Sequence, residues 1–121
     1  MRKNINEAEW KVRVDLAAMF RLTHIMGWDD TVWNHITARA PETDHTFFMH
    51  RFGLLYEEIK ASNLIKVDEN GKVLEGPSDI NTAGFIIHSA VHLNHPKNKF
   101  VFHAHPPMAL AATALKDGIP Y

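Results

Sequence analysis

Several residue types and patterns are missing from this 121-residue chain. It has no cysteine, which excludes disulfide bonds, thiolate nucleophiles and cysteine-ligated zinc. Its six glycines are scattered and form neither a GxGxxG nor a GxxxxGK pattern, which excludes nucleotide binding by those two routes. No apolar run approaches the length of a membrane span or of a secretory signal. We therefore expect a cytoplasmic protein that does not bind membranes.

The chain also lacks an excess of charge of either sign. Thirteen basic residues face fourteen acidic ones, for a net charge of −1. This balance gives no electrostatic reason to expect nucleic acid or an anionic membrane as a partner. With 45% hydrophobic and 22% charged residues, the composition is that of a globular domain, and the length suits one core. Nine histidines are many for this length, and they are the first candidates for metal-binding or catalytic residues.

Hydrophobic periodicity predicts alternating helices and strands. Apolar residues recur with a helical period over 6–26, and Gly27 lies at the position of a C-terminal cap. β-prone runs predict strands at 35–39, 46–50, 63–68, 72–74 and 99–105, with an Asn70-Gly71 hairpin turn. Further helical segments are expected at 54–59, 80–94 and 108–115. This order favours an antiparallel or mixed sheet with helices packed on its faces. The strand at 99–105, apolar on both faces, is expected to be central.

Two imidazoles are expected to project together at His103 and His105. Residues i and i+2 of a strand share a face, and Ala104 points the other way. Pro106 and Pro107 follow directly and end the strand. Two imidazoles side by side form the first half of a zinc or iron site. The alternative is one hydrogen-bonded core histidine beside one surface histidine.

A second pair, His88 and His92, lies four residues apart on one face of the predicted helix. That spacing also suits a metal, but Ser89 stands where an HExxH metalloprotease has glutamate, so that interpretation fails. With His95 nearby, we expect these three histidines to be structural or solvent-exposed. Three others are expected to be inert: His24, His45 and His50.

Several segments in series resemble the class II aldolase/adducin family. They are WNHITAR at 33–39, FGLLYEEI at 52–59, LIKVD at 64–68, NGKV at 70–73, NTAGFIIH at 81–88, HP at 95–96 and VFHAHP at 101–106. The match covers nearly the whole chain in the right order. We therefore expect residues 1–121 to form a single, partial class II aldolase/adducin-like domain.

The resemblance implies a three-layer αβα fold with a central, mainly antiparallel sheet, incomplete here at the C-terminus, and usually assembled into homo-tetramers. It implies a divalent metal, zinc first, with iron, manganese or cobalt as alternatives. In the sugar-phosphate aldolases of the family three histidines bind zinc, two from the H-x-H and one further downstream. His103 and His105 carry over, whereas the third ligand would lie beyond Tyr121. Asn34, Gly53 and Thr82 carry over as substrate-binding residues.

The departures from the aldolase pattern concern the proton-transfer group and the phosphate ligands. Gly84 occupies the position of the acid/base glutamate and cannot move a proton. Thr82 and Ala83 replace paired serines, and Phe52 replaces a threonine of a phosphate-binding loop. His35 aligns with an asparagine of another phosphate loop. These changes argue against a sugar-phosphate substrate. His35 becomes the candidate replacement acid/base, because imidazole titrates near neutral pH.

Two classes of function follow from this pattern. The first is metal-dependent carbonyl chemistry, of the aldol cleavage or decarboxylation type, on a small non-phosphorylated oxo-acid or carbohydrate-derived molecule. It is favoured by the intact H-x-H, and it is expected of the complete protein rather than of this segment alone. The alternative is an adducin-like, non-catalytic interaction module, which is favoured by the missing glutamate.

Overall fold

The structure, a computed structural model, describes residues 5–119. The elements, in chain order, are α1 (Glu7–Ile25), β1 (His35–Arg39), β2 (Thr46–Met49), a 3₁₀ turn (Tyr56–Glu58), β3 (Ile65–Asp68), β4 (Val73–Glu75), α2 (Thr82–Asn94), β5 (Phe100–His103) and α3 (Pro107–Thr113). Each predicted element is present, and the boundaries differ by one or two residues in most of them. In the described part no helix is long and apolar enough to cross a membrane.

The five strands form one sheet in the order β4-β3-β2-β1-β5, and every neighbouring pair is antiparallel. The expectation that the strand at 99–105 is central is therefore wrong for the described residues, where β5 is an edge strand. Its apolar residues reflect what lies above and below the sheet, not how many strands flank it. Phe100 packs on the core, whereas Phe102 is 44% exposed.

Helices cover both faces of the sheet, which gives three layers. The layer between the sheet and α1 is an apolar cluster to which the helix, the strands and the loops all contribute: Leu16, Phe20, Ile36, Ala38, Ala40, Phe48, Tyr56, Ile59 and Leu64. The face packed against α2 has a smaller apolar cluster of Phe47, Met49, Ile65 and Val67. Because strand residues alternate between faces, Ile36 and Ala38 point to α1 while His35 and Thr37 point to α2. The fold class implied by the resemblance is confirmed: a mainly antiparallel sheet between helices.

The α1 face also buries a pair of opposite charges, Glu9 and Arg13. Arg13, 1% exposed, donates to the Glu9 carboxylate (2.8 Å), to the Leu64 carbonyl (3.0 Å) and to the Glu75 carboxylate (2.6 Å). Its guanidinium also lies 4.5 Å from the centre of the Phe48 ring. The charge is therefore paired and its donors are occupied, as burial of a guanidinium requires.

Candidate metal centre

His103 and His105 converge where β5 ends. Their Nε2 atoms lie 3.1 Å apart. His103 is the last residue of β5, and His105 lies two residues beyond it, held by a hydrogen bond from its backbone N–H to the Trp28 carbonyl (2.9 Å). The two rings share one side although only the first belongs to the strand.

A carboxylate orients the second imidazole. Nδ1 of His105 lies 2.9 Å from Oδ2 of Asp30. Since a carboxylate only accepts hydrogen bonds, Nδ1 is the protonated nitrogen and Nε2 carries the free lone pair. A carboxylate on the far nitrogen is the usual support of a histidine that binds a metal through the near one.

The donor set fits a divalent metal. Two imidazole nitrogens bound to one tetrahedral zinc at about 2.0–2.1 Å are roughly 3.3 Å apart. The Nε2 atoms of His103 and His105 stand 3.1 Å apart, close to that separation. Both lone pairs can point at a common ion if His103, like His105, is protonated at Nδ1. Nδ1 of His103 has an acceptor for that proton in Nε2 of His35, at 3.0 Å.

Behind this pair, further histidines continue into the protein. Nδ1 of His35 lies 2.8 Å from Nε2 of His88, and Nδ1 of His88 lies 2.8 Å from the Thr37 hydroxyl. The same hydroxyl lies 2.9 Å from Nε2 of His92. We call this connected set the histidine array; in order from the surface it contains His105, His103, His35, His88, Thr37 and His92.

Sheet and helix geometry bring the histidine array together. His35 and Thr37 are i and i+2 on β1, and His103 is the register partner of His35 on β5. His88 and His92 are i and i+4 on α2 and point at the same sheet face. Exposure falls from 26% for the His105 side chain to 3% for His35, 2% for His88 and 0% for His92.

The buried members of the array are neutral at pH 7. Burial lowers the pKa of His35 to about 4, and the nearby His103 and His105 lower it further. Burial lowers the pKa of His88 to about 3, followed by the effect of His35. Burial and then the Arg39 charge lower the pKa of His92 to about 4, while the Asn98 backbone opposes the shift. In each of these rings one nitrogen therefore carries a proton and the other does not.

Gly84 makes room for His35. A Cβ at position 84 would lie 2.7 Å from both Cδ2 and Cγ of the His35 ring, closer than Cβ atoms approach other atoms. Gly84 is also one helical turn before His88, so the stripe of α2 that faces the array begins with a residue that has no side chain. The imidazole at 35 therefore occupies the space into which a side chain at 84 would extend.

The substrate-binding candidates lie on three separate segments. Asn34 precedes His35 and is fully buried, with no partner for its amide among the described residues. Gly53, at φ +90°, lies in an exposed loop, and Thr82 begins α2. The Phe52 N–H donates to the Asp79 carbonyl (2.8 Å), which ties the Gly53 loop to the segment that leads into α2.

The remaining histidines lie elsewhere. His50 is buried on the α1 side against Phe20 and Tyr56, and burial lowers its pKa to about 4. His24 forms an ion pair with Asp29 at 2.8 Å, and the hydrogen bond to that carboxylate raises the pKa of His24. With Glu57 it forms the single group of three metal-type side chains found among the described residues. A charged imidazolium there fits a salt bridge better than a metal. Two others are exposed: His45 and His95.

The sequence pattern predicts a structural or solvent-exposed role for His88 and His92 and does not single out Thr37. The signals were present: an i, i+4 pair of histidines on a helix, with glycine one turn earlier, and His-x-Thr on the strand opposite. What was missing was the register that brings the helix stripe over β1.

Comparison with known proteins identifies the family. Residues 14–121 match the class II aldolase and adducin N-terminal domain. A Caulobacter vibrioides protein assigned by name to aldolase class 2 is 44% identical over 120 residues, 98% of this chain and 47% of that protein. Mouse alpha-adducin is 38% identical over 117 residues, 94% of this chain and 16% of its own length.

Solved structures of the same family have a similar fold. An aldolase II superfamily protein from Pseudomonas syringae superposes with a TM-score of 0.93 at 42% identity, covering 99% of this chain and 49% of that one. An L-fuculose 1-phosphate aldolase from Glaciozyma antarctica gives a TM-score of 0.83 at 34% identity, covering 88% of this chain and 44% of that one. The chain thus spans about half the length of these aldolase relatives, and it belongs to the class II aldolase and adducin N-terminal domain family.

Proposed function

We propose that the complete protein performs divalent-metal-dependent carbonyl chemistry, of the aldol cleavage or decarboxylation type, on a small non-phosphorylated oxo-acid or carbohydrate-derived substrate. The observation that carries this proposal is the paired Nε2 atoms of His103 and His105, 3.1 Å apart, with Asp30 behind one of them. A bound divalent cation, zinc first, with iron, manganese or cobalt as alternatives, would polarise the substrate carbonyl as a Lewis acid.

His103 and His105 are the proposed ligands, and Asp30 holds His105 in the tautomer that a ligand needs. Asn34, Gly53 and Thr82 are the proposed substrate-binding residues. For Gly53 and Thr82 the support is position: the hydrogen bond from Phe52 to Asp79 joins the Gly53 loop to the segment that leads into α2. For Asn34 it is a buried amide without a partner among the described residues, next to His35.

His35 is the proposed replacement for the family glutamate, and its surroundings limit the ways in which its ring nitrogens could take part in the reaction. Its ring is 3% exposed, and both nitrogens contact other histidines. With its pKa lowered to about 4, the His35 imidazole is unprotonated and only weakly basic at pH 7. We therefore propose that His35 acts on the site by accepting the Nδ1 proton of His103, which orients that ligand toward the metal.

A sugar phosphate is not the proposed substrate, although one relative is named L-fuculose 1-phosphate aldolase. Gly84 offers no acid/base group, and Phe52 presents a 39% exposed ring where a phosphate donor would be needed. The complete protein should therefore leave L-fuculose 1-phosphate uncleaved. Rapid, phosphate-dependent cleavage would contradict our interpretation of both substitutions.

Zinc calorimetry and metal analysis on the purified chain test the proposed centre. Weak binding is expected, because two histidines are fewer than a closed site needs. His103→Ala should weaken it at least about tenfold, the effect expected when a ligand or its direct support is lost. His95→Ala, which removes an exposed imidazole away from the array, is the matched control. Equal binding by wild type and His103→Ala would rule out this pair as the site.

A non-catalytic interaction module, as in the adducin branch, is the second candidate. The absence of a side chain at Gly84 and the 38% identity to alpha-adducin favour it. Turnover by the complete protein separates the two: an enzyme loses activity in His103→Ala, whereas a module has none to lose.

Self-association in the cytoplasm is also proposed. Large apolar side chains are more than 40% exposed along α2, β5 and α3: Ile86, Ile87, Leu93, Phe102, Met108 and Leu110. Exposed apolar groups in such number mark an interaction surface. Sedimentation should give oligomers, and a clean monomer at high concentration would contradict this.

A further inference from the structure

The histidine array is connected from the surface to the core, and its hydrogen bonds must share one direction. A neutral imidazole has one donor and one acceptor nitrogen, and a hydroxyl can donate one bond while accepting another. If one ring donates inward through Nδ1, the next must accept at Nε2 and donate onward through its own Nδ1. Fixing one end therefore fixes every member.

The Asp30 carboxylate fixes the outer end. It accepts from Nδ1 of His105, so Nε2 of His105 is an acceptor. With no cation between the two rings, the 3.1 Å contact requires Nε2–H of His103 to donate to it. Nδ1 of His103 must then accept from Nε2–H of His35, and the pattern continues inward to His92.

A cation on the two Nε2 atoms removes that arrangement, because both atoms must then present lone pairs. Resting on the metal centre proposed above, we propose that the histidine array is a two-state relay. Its hydrogen bonds run outward without a metal and inward with one. Thr37 and His88 are thereby assigned as positioning residues that hold His103 in the metal-binding tautomer.

The reversal conserves protons. One proton leaves Nε2 of His103 for solvent, and each inner member passes its proton one place outward, through the Thr37 hydroxyl. Nδ1 of His92 takes up one proton, which reaches this fully buried ring only when the fold opens locally. In the closed fold this nitrogen has no hydrogen-bond partner among the described residues, and the Asn98 backbone, which raises the pKa of His92, favours a proton on the ring. His35, His88 and His92 are neutral before and after, so no charge is placed in the buried region, where it would be costly.

Thr37 is the link on which the reversal depends. Its Oγ1 lies 2.8 Å from Nδ1 of His88 and 2.9 Å from Nε2 of His92, so in either state it accepts from one ring and donates to the other. A side chain without a hydroxyl could do neither. It would leave two buried nitrogens unsatisfied, which weakens the whole network.

Long-range ¹H–¹⁵N NMR, which separates protonated from bare ring nitrogens, tests the relay on the unmodified chain. Without metal, His103, His35 and His88 should all be Nε2–H tautomers. With saturating Zn²⁺, His35 and His88 should become Nδ1–H although neither touches the ion. A mixed pattern without metal, or Zn²⁺ binding that leaves His88 unchanged, would overturn the proposal.

Thr37→Val and Thr46→Val are the matched variants. Both remove a hydroxyl from a buried threonine on neighbouring strands, but the Thr46 hydroxyl has no partner among the described residues. Thr37→Val should weaken Zn²⁺ binding roughly 10- to 100-fold, the range for supporting residues behind a ligand. Thr37→Ser should restore it, and Thr46→Val should leave it unchanged. Equal affinities for Thr37→Val and Thr46→Val would overturn the assignment.

Failure of the relay can be told from failure of the metal centre. If Zn²⁺ does not bind the wild-type chain, the proposed centre fails and the reversal with it. The metal-free tautomers still decide whether the outward array exists. If Zn²⁺ binds through His103 and the tautomers of His35 and His88 stay as they were, the centre stands and the relay is wrong.

Discussion

The two faces of the sheet bury their polar groups in different ways. Under α1, a charged guanidinium is paired with carboxylates: Arg13 contacts Glu9 and Glu75. Under α2, neutral imidazoles and one hydroxyl are linked in series, and the buried guanidinium of Arg39 donates to the His92 carbonyl beside them. The first arrangement has one favourable state, because opposite charges fix each other. In the relay proposed above, the second has two proton arrangements of equal charge, which suits a site that must respond to a ligand.

The largest effect is expected from breaking the α1 arrangement. Arg13→Ala removes a 1% exposed guanidinium and leaves the Glu9 carboxylate buried without that partner. Breaking a buried ion pair from one side costs about 3–5 kcal/mol in the free energy of unfolding. Urea denaturation should measure a loss in that range.

Lys11→Ala, two residues away on the exposed side of α1, is the control for Arg13→Ala. The Lys11–Asp15 pair (2.9 Å) is solvent-exposed, and such pairs contribute less than about 0.5 kcal/mol. Similar losses for the two variants would mean that Arg13 is not paired as described.

Acidification should act mainly on the α2 face, which holds three buried histidines with lowered pKa values, whereas the α1 side holds one, His50. His35, His88 and His92 have pKa values lowered to between about 3 and 4 in the fold, against 6.5 for an ordinary histidine. The unfolded chain therefore binds more protons between pH 6.5 and about 4, and stability falls as pH falls through that window. Each fully unprotonated histidine contributes up to about 1.4 kcal/mol per pH unit.

Urea denaturation from pH 7.5 to 5, without metal, should give a slope above about 1.4 kcal/mol per pH unit, meaning that more than one proton is taken up on unfolding. His95→Gln, at an exposed position, should keep that slope. A flat profile would show that the buried imidazoles are not held neutral.

A smaller effect tests the contact between the sheet and α2. Gly84→Ala gains up to about 1 kcal/mol of helix propensity. It also forces a Cβ to within 2.7 Å of the His35 ring, and such overpacking costs about 1–3 kcal/mol. The net change should be destabilising by about 1 kcal/mol.

His35→Ala supplies the control for that substitution. In the His35→Ala background the clash is gone, so Gly84→Ala should stabilise by up to about 1 kcal/mol. The same sign in both backgrounds would mean that Gly84 does not contact His35 as described.

Most elements could be predicted because their signals are local. The helical period gave α1, the Asn70-Gly71 turn gave the β3–β4 hairpin, and His103 and His105 share a side as the strand period implies. The edge position of β5 could not be predicted, because apolar residues on both faces say nothing about lateral neighbours.

The contacts of the inner half of the array could not be predicted from the sequence for a different reason. Thr37 and His92 meet at 2.9 Å across 55 residues of sequence, and neither a strand nor a helix pattern reports where the two elements cross. His88 and His92 were visible as a pair, but their meaning depends on the strand beneath them.

The absence of a Cβ beneath the His35 ring also bears on natural variation. A relative that carries a side chain at the position of Gly84 meets the same 2.7 Å conflict and cannot keep an aromatic ring in this pose at position 35. The two positions should therefore change together: glycine with histidine, or a larger residue with a smaller or differently placed one. Two columns of an alignment would then separate relatives built around an imidazole array from those built around a carboxylate.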